Sequence, residues 1–324
     1  MKILCCGKWF PQSPKSLEPL LPDDEILTCE VEKVKELGLD ADVLIPLMHR
    51  LEPELIEGTR ARLIHQYGVG LEGVDIPLAT SRGIMVCNVP ADVSLNADST
   101  AELAIFLILG LVRRVHECFR AFEKGAWGDP LGEVLLGGTA LIVGLGRVGT
   151  ALARKLIGLG MKVQAIRKTP HEQGATELGL SRLGGPGDLL EMASTADLVI
   201  STVVLSDQTL GLFNRELFSS MKPTAYVINV SRGPVVNEPD LIEALNTGAI
   251  AGAGLDVFCG EPIDSSNPLL SMDNVFATPH VGGVTRQNYE EMGRVIAENI
   301  RLFKDGKTPK YCVNLSELSG ETGH

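Results

Sequence analysis

Short apolar runs alternate along this chain with stretches whose apolar residues recur every three or four positions. The first kind of pattern reads as a buried strand and the second as an amphipathic helix. In the first hundred residues, Lys2–Cys6, Glu25–Thr28, Asp42–Ile45, Leu63–Gln66 and Ile84–Asn88 read as strands. Val31, Val34 and Leu37 recur at helical spacing, and Gly38 stops the pattern. Pro53 opens a short helix running to Glu57. Pro11, Pro14, Pro19 and Pro22 predict a loop between the first two strands. The alternation resumes further on, with strands at Thr139–Val143, Lys162–Ile166, Asp197–Ser201, Ala225–Val230, Ala251–Val257 and Val275–Ala277. Helices are expected between them at 150–157, 188–193, 215–221 and 239–246, the last closed by Gly248. Two longer helical patterns stand out. Residues 97–122 are densely apolar without proline and predict one long helix, and 285–303 predict another.

Strand and helix in strict alternation predict an α/β fold, with parallel sheets covered by helices on both faces. Gly144-Leu145-Gly146-Arg147-Val148-Gly149 sits where a strand hands over to a helix, with a second strand following. In that setting each glycine has a physical task. Gly144 permits the tight turn, Gly146 lets a pyrophosphate approach the backbone, and Gly149 lets the helix pack close to the sheet. The first-turn amides and the helix dipole then face the phosphates. The expected architecture is two Rossmann-like lobes, the second inserted into the first. The boundaries predicted are 1–96 with 285–324 for one domain and 97–284 for the other, with a cleft between them for ligands. Gly68-Val69-Gly70 is a separate turn, suited to holding a small anion on backbone amides.

A net charge of −12 without a lysine or arginine run argues against nucleic acid or an anionic membrane as partner. The longest apolar run, Leu103–Val112, is too short to span a bilayer, and the N-terminal apolar stretch ends too soon for a signal peptide. The seven cysteines show no metal-type spacing, so free thiols in the cytoplasm and no metal are expected. Adjacent Cys5 and Cys6 read as strand packing.

Three later stretches carry the chemistry: Asn229-Val230-Ser231-Arg232-Gly233-Pro234, Gly254 through Pro262, and Thr278-Pro279-His280-Val281-Gly282-Gly283. Each follows an apolar strand and so falls at the ligand-binding edge of a parallel sheet. Taken in order with the Tyr67–Gly70 turn and the glycine motif, they resemble the D-isomer-specific 2-hydroxyacid dehydrogenases over almost the whole chain.

That resemblance implies a dinucleotide-binding domain at 97–284 and a substrate-binding domain formed by 1–96 and 285–324. It implies an NAD(P)-dependent oxidoreductase that moves hydride between nicotinamide and a small 2-oxo or 2-hydroxy acid. His280 would protonate the carbonyl oxygen, and Glu261 would pair with it and favour the imidazolium. Arg232 would hold the substrate carboxylate by a forked hydrogen bond, helped by the amides of Val69 and Gly70. Cofactor contacts would come from Gly144, Gly146, Arg147, Val148, Gly149, Thr100 and Val230, with Asp256 orienting the carboxamide. An acidic residue after the second strand marks NAD-preferring members; here the position is Arg167, followed by Lys168, which predicts NADP(H) as preferred cofactor with NAD(H) still usable. Thr202 and Val204 depart from the histidine and proline often found after the fourth strand. Glu261 argues against a formate dehydrogenase, which has glutamine there.

Glyoxylate or hydroxypyruvate is the expected substrate, with D-3-phosphoglycerate dehydrogenation as an alternative. Leu47 and Met48 are expected to line the substrate side. A dinucleotide-sensing, corepressor-like binding protein is the alternative from another class. The apolar surface of 97–122 predicts a homodimer.

Overall fold

The computed structural model describes residues 1–170 and 176–318. The chain divides into two compact units, Met1–Asn96 with Val284–His324, and Ala97–Gly283. The second unit is therefore an insertion in the sequence of the first. Residues 319–324 of the expected substrate-binding domain lie outside the described residues.

The first unit holds a five-stranded parallel sheet. Its strands are β1 (Lys2–Cys5), β2 (Glu25–Thr28), β3 (Val43–Ile45), β4 (Leu63–His65) and β5 (Met85–Cys87), in the order β2-β1-β3-β4-β5. Successive strand residues face opposite sides, which gives the sheet two cores. Ile3, Cys5, Val43, Ile45 and Leu63 pack with Leu17 and with Tyr289, Met292, Ile296 and Ile300 of the helix Arg286–Lys304. Leu4, Cys6, Leu44, Ile64 and Val86 pack on the other side with Val34, Leu55, Ile56 and Ala79. Cys5 and Cys6 thus lie in different cores, and burial pushes the Cys5 thiol up to about 12. They are packing residues, as their strand position predicts.

The second unit carries seven parallel strands: β6 (Thr139–Val143), β7 (Lys162–Ile166), β8 (Arg182–Gly184), β9 (Leu198–Ser201), β10 (Tyr226–Asn229), β11 (Gly252–Leu255) and β12 (Val275–Ala277). Their order is β12-β11-β10-β9-β6-β7-β8. The direction of winding reverses between β6 and β9, a crevice where doubly wound sheets bind ligands. Ala140 and Ile142 face a core shared with the helices Asn96–Val112 and Arg147–Gly158. Leu141 and Val143 face the opposite core, shared with the helices Leu189–Thr195, Arg215–Ser220 and Glu238–Thr247.

Two expectations need correction. Residues 97–122 are not one helix. The first ends at Val112, Arg114 adopts a left-handed conformation (φ +52°), and a second helix runs Val115–Glu123. The break lets His116 Nε2 meet the Val275 carbonyl (3.1 Å) and Arg120 pair with Asp273 (2.7 Å). Those partners lie on β12 and its approach, out of reach of any local sequence pattern. The proline-rich stretch also differs: Gln12–Leu17 is helical. Pro14 sits in its first turn, where a missing N–H costs nothing.

Candidate active site

The glycine turn connects β6 to the helix Arg147–Gly158. Gly144 has φ +103°, a conformation strained for any other residue. A Cβ on Gly149 would lie 2.2 Å from the Gly144 carbonyl oxygen, so glycine there is what lets the helix close onto the strand. A Cβ on Gly146 would meet nothing within 4 Å. Gly146 caps the helix without a side-chain hydrogen bond, and Arg147 opens it. The position leaves room for a bound group to approach bare backbone at a helix N-terminus, so the turn fits a pyrophosphate. Thr202, which departs from the resembling family, has a task in this turn. Its hydroxyl donates to the Gly144 carbonyl (2.5 Å) while its amide donates to Val143 (2.9 Å), tying the end of β9 to the turn.

Arg167 and Lys168 follow β7 and are exposed. Arg167 lines a cavity of about 200 Å³ with Leu145, Thr150, Arg154, Glu177, Leu178 and Leu183. The cation therefore stands beside the glycine turn, where the spacing places it.

The carboxyl ends of β10, β11 and β12 carry Arg232, then Asp256 and Glu261, then His280. His280 Nδ1 lies 2.6 Å from Glu261 Oε2, and both side chains are mostly buried. The other Glu261 oxygen accepts from the Phe258 amide (2.9 Å), which fixes the carboxylate in place. His280 itself has φ +53°, and histidine tolerates this region better than β-branched residues do. Asp256 holds that conformation. Its carbonyl accepts the His280 amide (2.8 Å), and its Oδ1 accepts the Thr278 hydroxyl (2.6 Å) and the Val281 amide (2.8 Å). Its Oδ2 accepts the Gly282 amide (2.8 Å). Burial nonetheless pushes the Asp256 carboxyl above its ordinary range. Thr100 is buried against Gly282, and Ser99 Oγ donates to the Gly282 carbonyl (2.6 Å).

Arg232 is braced by a buried polar group that the sequence reading missed. Asn229 Oδ1 accepts the amide and hydroxyl of Ser231 (3.1 and 2.8 Å), and Asn229 Nδ2 donates to the Arg232 carbonyl (3.0 Å). Ser201, at the end of β9, shares a 2.7 Å hydrogen bond with the Ser231 hydroxyl. A Cβ on Gly233 would fall 1.8 Å from the Phe258 carbonyl oxygen, so the Arg232 turn sits hard against the turn leading to Glu261. An asparagine two residues before a serine is a turn signal, and it could have flagged this bracket. Val230 is buried within the sheet core.

In the first unit, the Gly68-Val69-Gly70 turn is held through its carbonyls. Gly68 accepts the Val89 amide (2.9 Å), Val69 accepts Asn88 Nδ2 (2.8 Å), and Gly70 accepts Gln66 Nε2 (2.8 Å). A trans peptide points its N–H opposite its carbonyl, so the Val69 and Gly70 amides face away from these partners. Leu47 differs from expectation: it is buried in the unit's core, while Met48 beside it is exposed. A register of strand and turn, invisible in composition, sends Leu47 inward.

Residues 105–282 match the family model described as D-isomer specific 2-hydroxyacid dehydrogenase, NAD binding domain. A glyoxylate reductase of Pyrococcus furiosus is 38% identical over 294 residues, covering 87% of this chain and 85% of the relative. A D-3-phosphoglycerate dehydrogenase of Archaeoglobus fulgidus is 33% identical over 290 residues, and the match spans 89% of this chain but 54% of that protein. Among solved structures, an NADPH-dependent glyoxylate/hydroxypyruvate reductase from Sinorhizobium meliloti, in complex with NADP and malonate, superposes with a TM-score of 0.81. It is 30% identical, and the match covers 98% of this chain and 97% of that one. Sequence, fold and motif order agree, and the chain belongs to the D-isomer specific 2-hydroxyacid dehydrogenase family of NAD(P)-dependent oxidoreductases.

Proposed function

We propose that this enzyme reduces glyoxylate or hydroxypyruvate with NADPH as preferred reductant. The observation that carries the chemistry is the 2.6 Å contact between His280 Nδ1 and Glu261 Oε2 at the carboxyl edge of the second sheet. The nicotinamide cofactor, when bound, supplies the hydride. His280 supplies the proton: with Nδ1 engaged by Glu261, Nε2 is the ring nitrogen that delivers it to the carbonyl oxygen. Glu261 holds Nδ1 and fixes the plane of the ring. The Arg232 guanidinium grips the substrate carboxylate, and the Val69 and Gly70 amides are suited to a small anion. Asp256, with three hydrogen bonds already on its carboxylate, keeps acceptor capacity for the carboxamide of the nicotinamide. Thr100 and Val230 are assigned to the cofactor on the family resemblance, and Gly144, Gly146, Arg147, Val148 and Gly149 take the pyrophosphate.

Exposed Arg167 and Lys168 support the NADPH preference, since they attract a 2′-phosphate that an acidic residue would repel. The names of the Pyrococcus and Sinorhizobium relatives support the substrate choice. The Archaeoglobus relative favours D-3-phosphoglycerate as the second reading. No described helix is long and apolar enough to cross a membrane. A homodimer in the cytoplasm completes the proposal. Phe119, Phe122, Trp127, Leu131, Val134 and Leu136 are all highly exposed, and a second copy of the chain would cover them. Seven free cysteines suit a reducing compartment.

Steady-state kinetics with glyoxylate, hydroxypyruvate and 3-phosphohydroxypyruvate, each with NADPH and NADH, test the reading. Turnover of either of the first two, with higher kcat/KM for NADPH, is expected. Efficient use of 3-phosphohydroxypyruvate alone would replace the substrate assignment, and equal or better use of NADH would end the cofactor preference. Light scattering showing only a monomer at micromolar concentration would remove the dimer.

A further inference from the structure

Cys87 ends β5, the edge strand of the first sheet, and Cys312 belongs to the segment that follows the helix Arg286–Lys304. The two residues form an isolated antiparallel bridge. The Val313 amide donates to the Val86 carbonyl (2.8 Å), so the flanking residues make the hydrogen bond and the cysteines face each other as a non-hydrogen-bonded pair. In such a pair the side chains share one face and the Cα atoms are about 4.5 Å apart, which is within the range a disulfide spans. Asn314 holds the register. Its Oδ1 accepts the Val86 amide (2.9 Å), and its Nδ2 donates to the Ile84 carbonyl (2.9 Å) and Thr80 Oγ1 (2.8 Å). Cys87 is fully buried, whereas Cys312 is partly exposed.

We infer that Cys87 and Cys312 form a reversible oxidative site: a peroxide converts the pair to a disulfide that staples the C-terminal segment to β5. The chemistry needs one accessible sulfur and one resolving sulfur, and the pair supplies both. Cys312 sulfur, as thiolate, attacks a peroxide oxygen; the O–O bond breaks, leaving a sulfenic acid and hydroxide. Cys87 sulfur then attacks Cys312 sulfur, the S–S bond forms, the S–O bond breaks, and water leaves with the Cys87 proton. Two thiols are oxidised by two electrons in total, and one peroxide is reduced to two waters. Cys312 Sγ donates to Asn314 Oδ1 (3.3 Å), and the neighbouring Cys87 draws the Cys312 thiol down, which suits the attacking role. The contact with Cys312, with burial, pushes the Cys87 thiol up. Cys259, exposed as a residue, donates its thiol to the Val236 carbonyl (3.4 Å), and partial burial of the sulfur raises it.

Treating the reduced full-length protein with equimolar hydrogen peroxide, then mapping peptides under non-reducing conditions, tests the site. The expected product is a linked peptide pair containing Cys87 and Cys312, two hydrogens lighter than the thiols. Thermal unfolding should shift upward by a few degrees and return on adding dithiothreitol. Cys312→Ser should give neither change, and Cys259→Ser should give both. Oxidation confined to other cysteines would overturn the inference, as would sulfinate at Cys312 without the linked pair. A linked pair that leaves the unfolding temperature unchanged would overturn the stapling role.

Discussion

His65 gives the sharpest quantitative prediction. It ends β4, is wholly buried, and has both ring nitrogens engaged. Nδ1 faces the Gln66 carbonyl (3.0 Å), which can only accept, so Nδ1 carries the proton. Nε2 faces Asn299 Nδ2 (2.9 Å), which can only donate, so Nε2 carries none. Asn299 is held in that orientation by the Lys310 backbone, donating to its carbonyl (2.9 Å) and accepting from its amide (2.8 Å). The site is therefore built for a neutral ring, and burial pushes His65 down to about 4. The unfolded chain binds the proton near pH 6.5, well before the folded one. Stability is thus unaffected by His65 above about pH 6.5, falls as pH drops through the interval, and levels off below about 4. Integrating the difference gives a loss of about 3 kcal/mol attributable to this one group. Urea unfolding of the wild type and of His65→Gln between pH 7.5 and 4.5 isolates it, since the carboxylates contribute equally to both. The wild type should lose about 2.5 kcal/mol more than the variant across that range, the rest falling below pH 4.5. Parallel pH dependences for the two proteins would refute the reasoning.

The site yields further expectations. Glu261→Gln should lower kcat for the 2-oxo acid by roughly a hundredfold while NAD(P)H affinity, read by fluorescence titration, stays the same. Arg232→Ala should raise KM for the 2-oxo acid at least about tenfold, because a charge-assisted hydrogen bond to the carboxylate is worth about 1.5–3 kcal/mol. Gly149→Ala should abolish cofactor binding or stable folding, since its Cβ would fall 2.2 Å from the Gly144 oxygen; Gly146→Ala, with open space around its Cβ, should fold normally and weaken cofactor binding alone. Circular dichroism and cofactor titration separate these two outcomes. Replacing Arg167 and Lys168 by alanine should shift the kcat/KM ratio toward NADH, and an unchanged ratio would show that neither cation reads the 2′-phosphate.

The legibility of this protein follows the range of the interactions involved. Most strands of the two parallel sheets are short apolar runs, because burial on both faces favours them, and such runs are visible residue by residue. The edge strand β8 has three residues, and its Arg182 carries an ion pair with Glu191 (2.7 Å), so it has no apolar signature. The glycine turn was equally plain, since a steric requirement at three fixed spacings leaves few residue choices. Arg232 and His280 lie three residues beyond the ends of β10 and β12, and Glu261 lies six beyond β11, so the strand pattern marks the stretches that carry them.

What the sequence could not show are contacts between residues remote in the chain. The left-handed break at Arg114 exists because His116 and Arg120 find partners near β12. Thr202 grips the glycine turn, and Ser201 reaches Ser231, only because β9 lies between β6 and β10. Cys87 meets Cys312 because the chain returns to the first sheet after the inserted unit. Local sterics and hydrophobic period thus set the elements and the chemistry they present. Strand order and register, which no local pattern encodes, decided which side chains support that chemistry.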